Sequence, residues 1–107
     1  MNIQYFLDHD EDGNPILKNI DIDITENKSI EELIIKLHEA IEVPLHKELK
    51  YDGEIIKVSC SHFIQSDPSG GFYSGIEDLS KKISEFPKYG VNGELSLFIE
   101  RNEGLVN

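Results

Sequence analysis

The sequence predicts a single α+β domain, and three patterns carry that prediction. Isoleucine alternates with aspartate from Ile20 to Ile24, which is the two-residue period of a strand with one face in water. Apolar residues recur at spacings of three and four from Ile30 to Ile41, as on one side of a helix. Apolar residues alternate again from Leu95 to Ile99 as a final strand. At 107 residues the chain is expected to form one domain, because two halves would each lack a sufficient interior.

The amino-terminal part is expected to form a β-hairpin. Ile3 to Leu7 is rich in residues that favour strands, and it should pair with the strand at Ile20 to Ile24. The segment from Asp8 to Pro15 supplies turn-forming residues, and its Asp12-Gly13 pair can adopt the positive φ that a hairpin connection needs. The isoleucines of this hairpin should then face the core.

A helix is predicted to begin at Ile30. Ser29 is a good N-cap, and Glu32 three positions later completes a Ser-x-x-Glu capping box. Pro44 lacks the N–H group that a helix interior needs, so the helix should end near it. The side chains expected on the buried stripe are Ile30, Leu33, Ile34, Leu37, Ala40 and Ile41.

Short strands are predicted after the helix, at Leu49 to Tyr51 and Ile55 to Cys60, on either side of an Asp52-Gly53 turn. Residues 61–75 are rich in turn formers and are expected to form a loop insertion. A short helix should follow from Ile76 to Ile83, and the last strand should run from Leu95 to Arg101. Residues 102–107 are expected to be a frayed tail.

Taken in order, these elements resemble those of ubiquitin-like proteins. The Val43-Pro44 exit from the helix, the strand and turn from Leu49 to Gly53 and the Leu79-Ser80 pair are similar to family motifs, as is the alternating final strand. The resemblance covers most of the chain and implies a β-grasp fold. Such a fold has a mixed sheet of four to five strands, with the first and last strands parallel at its centre, one main helix packed across it and a short second helix. The family's Gly-Gly tail is replaced here by Glu103 to Asn107, so conjugation is not expected.

The charge of the chain narrows the class of partner. Asp and Glu number 21 against 10 Lys and Arg, which gives a net charge of −11. Nucleic acids and anionic membranes bind through clusters of cations, so neither is an expected partner. The same field would attract a basic protein and speed its encounter. The alternative is that the acidity serves only solubility.

Other features of the composition favour a cytoplasmic protein. The chain has no apolar run long enough for a membrane helix, and its first residues lack the features of a signal peptide. The single cysteine, Cys60, cannot form an internal disulfide, which agrees with a reducing compartment.

The candidate partner-binding residues are acidic side chains of the hairpin and aromatic side chains of the predicted loop. Carboxylates could hold cationic groups of a partner, and loop aromatics give contact area at low entropic cost. The alternative is that these aromatic side chains, together with Phe63, pack back on the sheet as a small satellite core. The residues predicted to bind the partner are Asp8, Asp10, Glu11, Asp12, Asp21, Asp23, Phe72 and Tyr73.

Two motifs suggest other chemistry but are incomplete. Asp8-x-Asp10-x-Asp12-Gly13 is similar to the first half of a calcium loop, yet Asn19 stands at the twelfth position, where a bidentate Glu is required. An acidic, solvated turn is favoured, and neither a metal nor a cofactor is expected. Cys60-x-His62 places a thiol and an imidazole on one face of a strand, but no third group to orient them can be named. The chain is therefore not expected to be an enzyme.

Two functions fit these observations. The first is an immunity or inhibitor protein that neutralises a basic toxin, such as a nuclease, by presenting carboxylates where phosphates would bind. The second is a ubiquitin-like adaptor or accessory subunit that docks on a larger complex through its sheet face, with Leu49 and Tyr51 in the contact. Salt distinguishes them, because steered association with a basic partner weakens steeply as ionic strength rises.

Overall fold

The computed structural model describes residues 1–101, and for 46–51 and 54–59 it describes the backbone alone. It confirms an α+β domain with a mixed sheet and a main helix. The elements in chain order are β1 (Asn2–Phe6), β2 (Lys18–Asp21), α1 (Ile30–Ile41), β3 (His46–Tyr51), β4 (Glu54–Gln65), β5 (Tyr73–Gly75), a 3₁₀ turn (Ile83–Glu85) and β6 (Leu95–Arg101).

The sheet is built around a parallel pair formed by the first and last strands. The strand order is β2-β1-β6-β4-β3, and β5 pairs with β4 outside this path. β1 and β6 are parallel, with Ile3 opposite Leu95 and Phe6 opposite Phe98, while the other pairs are antiparallel.

The two predicted hairpins are present. β1 and β2 pair with Ile3 opposite Ile20, although β2 ends at Asp21, so the buried Ile22 lies beyond the strand. At the second hairpin, Asp52 and Gly53 have φ values of 51° and 80° and connect β3 to β4. A two-residue connection with both φ values positive matches the right-handed twist of the strands.

The predicted loop at 61–75 is wrong over part of its length. β4 runs for 12 residues to Gln65, and its second half pairs with β6, with Phe63 opposite Phe98. The strand β5 then returns along β4, so the connecting loop is 66–72 only. The turn-forming residues that suggested a loop begin only at Ser66. The side chains before them alternate between the two faces of the sheet, as in any strand, and both of those faces are covered.

The predicted helix from Ile76 to Ile83 is also wrong, since only the 3₁₀ turn at Ile83–Glu85 forms. The carboxylate of Asp78 accepts hydrogen bonds from the N–H and the hydroxyl of Ser80, at 3.0 and 2.6 Å. Local bonds of this kind compete with helix formation. Ile83 is nevertheless fully buried, as its place in the pattern suggested, whereas Leu79 is exposed.

Helix α1 begins as predicted and packs on one face of the sheet. The hydroxyl of Ser29 accepts a hydrogen bond of 3.2 Å from the N–H of Glu32. Ala40 is exposed, which contradicts its assignment to the stripe, and His38 is buried in its place. His38 follows Ile34 by four positions and so continues the buried face. The core side chains on this side of the sheet include Ile3, Leu33, Leu37, Leu97 and Ile99.

The opposite face of the sheet is covered as well. Gln4 and Phe6 of β1 and Ser96 of β6 are buried there, although they alternate with core residues along their strands. Neither face of the central pair is therefore a simple solvent face.

The longest helix in residues 1–101, α1, has 12 residues, and no helix described there combines the length and apolar character required to cross a bilayer. The predicted tail, 102–107, lies outside the described residues.

Replacing Leu37 with alanine should lower the free energy of unfolding by about 2 to 5 kcal/mol, because its fully buried side chain would leave a cavity. Urea denaturation measures the change. Ile35→Ala is the matched control, since Ile35 is exposed on the same helix and its loss should cost less than about 1 kcal/mol. Equal effects of the two changes would contradict the assigned helix orientation.

Candidate partner-binding surface

The acidic tip of the first hairpin, residues 8–14, is an ordered turn. One carboxylate oxygen of Asp10 accepts hydrogen bonds from the N–H groups of Asp12 and Asn14, both 2.9 Å long. Gly13 has a φ of 81° and donates its N–H to the carbonyl of Asp10 at 3.0 Å. Asp10 therefore organises the turn, and the exposed Glu11 and Asp12 are presented from it.

Among the side chains that the structure describes, cations neutralise only a small part of the tip's negative charge. Within residues 1–101 the ion pairs with described side chains join Asp21 to the amino terminus, Glu26 to Lys88 and Asp8 to Arg101. The pair from Asp8 to Arg101 is 3.2 Å long and exposed, so it contributes little to stability. Glu11 and Asp12 take part in none of these pairs.

The tip is not arranged as a metal site in this structure. The side chain of Asp8 faces Arg101 and that of Asp10 faces backbone N–H groups. Among the residues whose side chains are described, no group of three His, Cys, Asp or Glu is placed to hold a metal ion.

The remaining predicted acidic residues lie on another part of the surface. Asp21 is opposite Asn2, at the start of β1, whereas Asp8 follows its end. A five-residue strand spans roughly 15 Å, so the two carboxylates are well separated. Asp23 is exposed beside α1, where its carbonyl accepts a hydrogen bond of 2.8 Å from Lys36. Asp21 and Asp23 therefore do not join the tip in one patch.

The loop 66–72 presents Phe72 to solvent. The carboxylate of Asp67 accepts hydrogen bonds from the hydroxyl of Ser69 and from the N–H of Phe72, and these bonds lower the pKa of Asp67. The carbonyl of Phe72 in turn accepts from the N–H of Ser66 at 3.0 Å. Phe72 is 71% exposed on this closed loop.

Tyr73 and Phe63, in contrast, pack on the sheet. The ring of Tyr73 meets that of Phe6 edge to face at 5.4 Å, and Phe63 stacks on Phe98 at 5.7 Å. The satellite-core alternative therefore describes Tyr73 and Phe63, while Phe72 alone of the three remains open to contact.

A row of buried polar side chains crosses the same sheet face, and the sequence analysis did not identify it. The amide of Gln4 donates to the hydroxyl of Ser96 at 2.8 Å and accepts from the N–H of Val91 at 3.0 Å. The amide of Gln65 donates to the carbonyl of Asp67 at 2.9 Å. The hydroxyl of Tyr73 lies between the side-chain oxygens of Gln65 and Ser96, at 3.5 and 3.4 Å. The row thus ties the central strands to the loops on both sides.

A groove of about 510 Å³ lies above this row. Its floor includes Gln4, Gln65 and Tyr73, and none of the lining residues that the structure describes is charged. Its walls come from three segments of the chain: Pro15 and Leu17 of the hairpin, residues 68–70 of the loop, and Tyr89 to Val91. Val91 is 76% exposed and Leu17 43%, so the rim presents apolar surface. The acidic tip is continuous with this wall, because Pro15 directly follows residues 8–14 and pairs with His9 across the base of the turn.

The turn that carries Val91 depends on a glycine. The N–H of Gly90 donates to the carbonyl of Glu94 at 2.8 Å, and Gly93 donates to the carbonyl of Gly90 at 2.9 Å. Burial opposes ionisation of Glu94, but hydrogen bonds from Asn92, Glu94 and Asn19 outweigh it and lower the pKa of Glu94. A Cβ atom at position 90 would lie 2.2 Å from the carboxylate and 2.7 Å from the carbonyl oxygen of Glu94.

A histidine pair joins α1 to β4 on the helix side. His38 Nδ1 lies 2.8 Å from the carbonyl oxygen of Val43, and its Nε2 lies 2.7 Å from Nε2 of His62. The carbonyl can only accept, so His38 Nδ1 donates and, with both rings neutral, its Nε2 accepts from His62. Burial lowers the pKa of His38. Burial and then the neighbouring His38 lower the pKa of His62 to about 4.

This pairing changes the interpretation of the Cys60-x-His62 motif. Nε2 of His62 is engaged by His38, and Sγ of Cys60 lies 3.5 Å from the carbonyl oxygen of Pro44. Both contacts fasten the end of α1 to β4, so the motif has a structural role here. His38 could have been noticed in the sequence as a polar residue within the apolar helix stripe.

Replacing Gly90 with alanine should lower the free energy of unfolding by about 1 to 3 kcal/mol, because backbone and side-chain atoms of Glu94 occupy the space. Gly71→Ala is the control, since its Cβ would approach no atom closer than 3.4 Å and its cost should stay below about 1 kcal/mol. Thermal and urea unfolding of both variants measure the difference. A neutral Gly90→Ala would show that the turn is formed differently.

The histidine pair predicts a loss of stability in mild acid. In the unfolded chain the imidazole of His62 becomes protonated below about pH 6.5. In the folded protein it stays neutral down to about pH 4. Unfolding therefore takes up a proton in this window, and stability falls as the pH is lowered through it. His62→Gln should reduce the loss between pH 7 and pH 5 by about 1 to 2 kcal/mol, allowing for partial solvent screening.

Urea denaturation at the two pH values tests this expectation. His9→Gln is the control because His9 is exposed. Parallel pH profiles for the native protein and His62→Gln would contradict the assigned pairing.

Comparison of the chain with protein-family models, with curated proteins and with solved structures gave no match.

Proposed function

We propose that this chain is a non-enzymatic, acidic protein-binding module with a ubiquitin-like β-grasp fold. In this proposal it is an immunity or inhibitor protein that neutralises a basic toxin such as a nuclease in the cytoplasm. The observation that carries the proposal is the ordered hairpin tip, whose exposed Glu11 and Asp12 take part in none of the described ion pairs.

The geometry of the tip suits the capture of a cationic surface. The hydrogen bonds of Asp10 hold the turn, so little conformational entropy is lost when a partner binds. The net charge of −11 would steer a basic partner towards the domain, and carboxylates at the tip can take positions that phosphates occupy on a nuclease. Nucleic acids and anionic membranes are repelled by the same field.

The fold part of the proposal is supported by the chain's topology. A first hairpin is followed by a helix, and the last strand returns to lie parallel to the first at the middle of the sheet. The competing adaptor function would place Leu49 and Tyr51 in a sheet-face contact, and those side chains are outside the described part of the structure.

The test begins by capturing the partner from the native host in 50 mM NaCl and identifying it by mass spectrometry. The purified partner is expected to be basic, and its association rate in stopped flow should fall about tenfold or more between 50 and 500 mM NaCl. Reversing two charges at the tip, Glu11→Lys with Asp12→Lys, should slow association about tenfold at low salt. Asp10 is left unchanged in this variant because it holds the turn.

The matched control is Glu39→Lys with Glu42→Lys, which changes the net charge equally at exposed positions near the end of α1. It should alter the rate less than about threefold, and circular dichroism should show both variants folded. A neutral or acidic partner whose association is insensitive to salt would favour the adaptor function. Equal slowing by the two variants would remove the tip from the interface.

A further inference from the structure

We propose that the groove beside the acidic tip is the anchoring site of this interface, and that it binds an extended segment of the partner with an apolar anchor residue flanked by lysine or arginine. This inference rests on the proposed function and specifies which part of the basic partner is recognised. The groove and the tip share the hairpin that contains Asp12, Pro15 and Leu17.

The lining of the groove determines what its centre can bind. Its buried floor amides hydrogen-bond within the protein, Gln4 with Ser96 and Val91, and Gln65 with Asp67. The described residues that line it carry no charge, so an ionised group placed among them would lose hydration without gaining a charged partner. A ligand gains most by covering the apolar rim at Leu17 and Val91, which favours an aliphatic or aromatic side chain.

Charge complementarity determines what flanks that anchor. Glu11 and Asp12 belong to the turn that leads into Pro15, a wall residue of the groove that pairs with His9 across the base of the tip. On the opposite wall, the carboxylate of Asp67 is held by Ser69, itself a lining residue. Carboxylates attract cations over about one Debye length, roughly 8 Å at physiological salt. Lysine or arginine on either side of the anchor meets this arrangement.

The shape of the groove favours an extended segment. Its walls come from separate stretches of the chain, at Pro15 and Leu17, at 68–70 and at 89–91, and the space between them is partly open to solvent, so a ligand chain can enter from outside. Hydrogen bonds that the Asp67 carboxylate accepts from Ser69 and Phe72 hold one wall, and the turn from Gly90 to Gly93 holds another. Walls that are ordered before binding lower the entropic cost of fixing a flexible ligand.

A selection with displayed random 12-residue peptides at 150 mM NaCl tests the inference with defined probes. The enriched peptides should contain an aromatic or aliphatic residue flanked by at least two Lys or Arg. Fluorescence anisotropy of the selected peptides, made with a dye label, gives their dissociation constants.

The decisive variant is Leu17→Asp with Val91→Asp, which removes apolar rim and adds two negative charges. General attraction to an acidic protein predicts tighter binding of a cationic peptide, whereas anchoring in the groove predicts binding at least tenfold weaker. The control is Ile35→Asp with Leu79→Asp, which makes the same change at exposed apolar positions that do not line the groove. The control should leave the affinity unchanged or slightly increased.

The outcomes separate this inference from the proposed function. Cationic peptides that bind Leu17→Asp/Val91→Asp as well as or better than the native chain would overturn the groove while leaving capture of a basic partner intact. Enriched peptides without Lys or Arg that lose binding in this variant would show that the groove does not require a cationic ligand. That result would also contradict the proposed class of partner. The absence of any enriched peptide would overturn the groove as a peptide site.

Discussion

The parallel pairing of β1 with β6 is the constraint on which the rest of the structure depends. The two strands come from opposite ends of the described chain, with Ile3 beside Leu95 and Phe6 beside Phe98. Alternate residues of each strand enter the core under α1, and the residues between them build the opposite, groove face. Because each strand supplies both faces, a shift of one residue in this register would exchange the apolar core for the polar row.

Covering the second face of the sheet makes the domain rigid there, but it requires the burial of polar side chains, which costs free energy. Gln4, Ser96 and Gln65 lie where an exposed sheet would meet water, and burying them is tolerable only because each has hydrogen-bond partners. Those partners include backbone groups of Asp67 and Val91, so satisfying the strands also fixes the loops. The groove walls are therefore ordered by the same bonds that make the buried row stable.

Local signals in the sequence were sufficient for the hairpins and for the start of the helix. Ser29 caps α1 and the Asp52-Gly53 pair forms the turn between β3 and β4, because both features depend only on neighbouring residues. The extension of β4 to Gln65 and the burial of His38 depend on side chains distant in sequence, such as Phe98 and His62. The acidic tip was predicted from consecutive carboxylates, but the groove was not, because hairpin, loop and turn meet there only after folding.

In the proposed interface, the tip and the groove would contribute different parts of recognition. Carboxylates at an exposed turn act over several ångströms and chiefly raise the rate of encounter, while their contact energy is reduced by water and salt. An ordered groove lined by uncharged described residues acts only on contact. The apolar area that it buries on the ligand chiefly lowers the ligand's rate of dissociation. A tip alone would attract many cationic proteins with little discrimination. In the proposed interface, joining it to the groove through the hairpin that contains Asp12 and Leu17 would make both conditions apply to the same ligand, which would be a physical basis for selecting one basic partner among many.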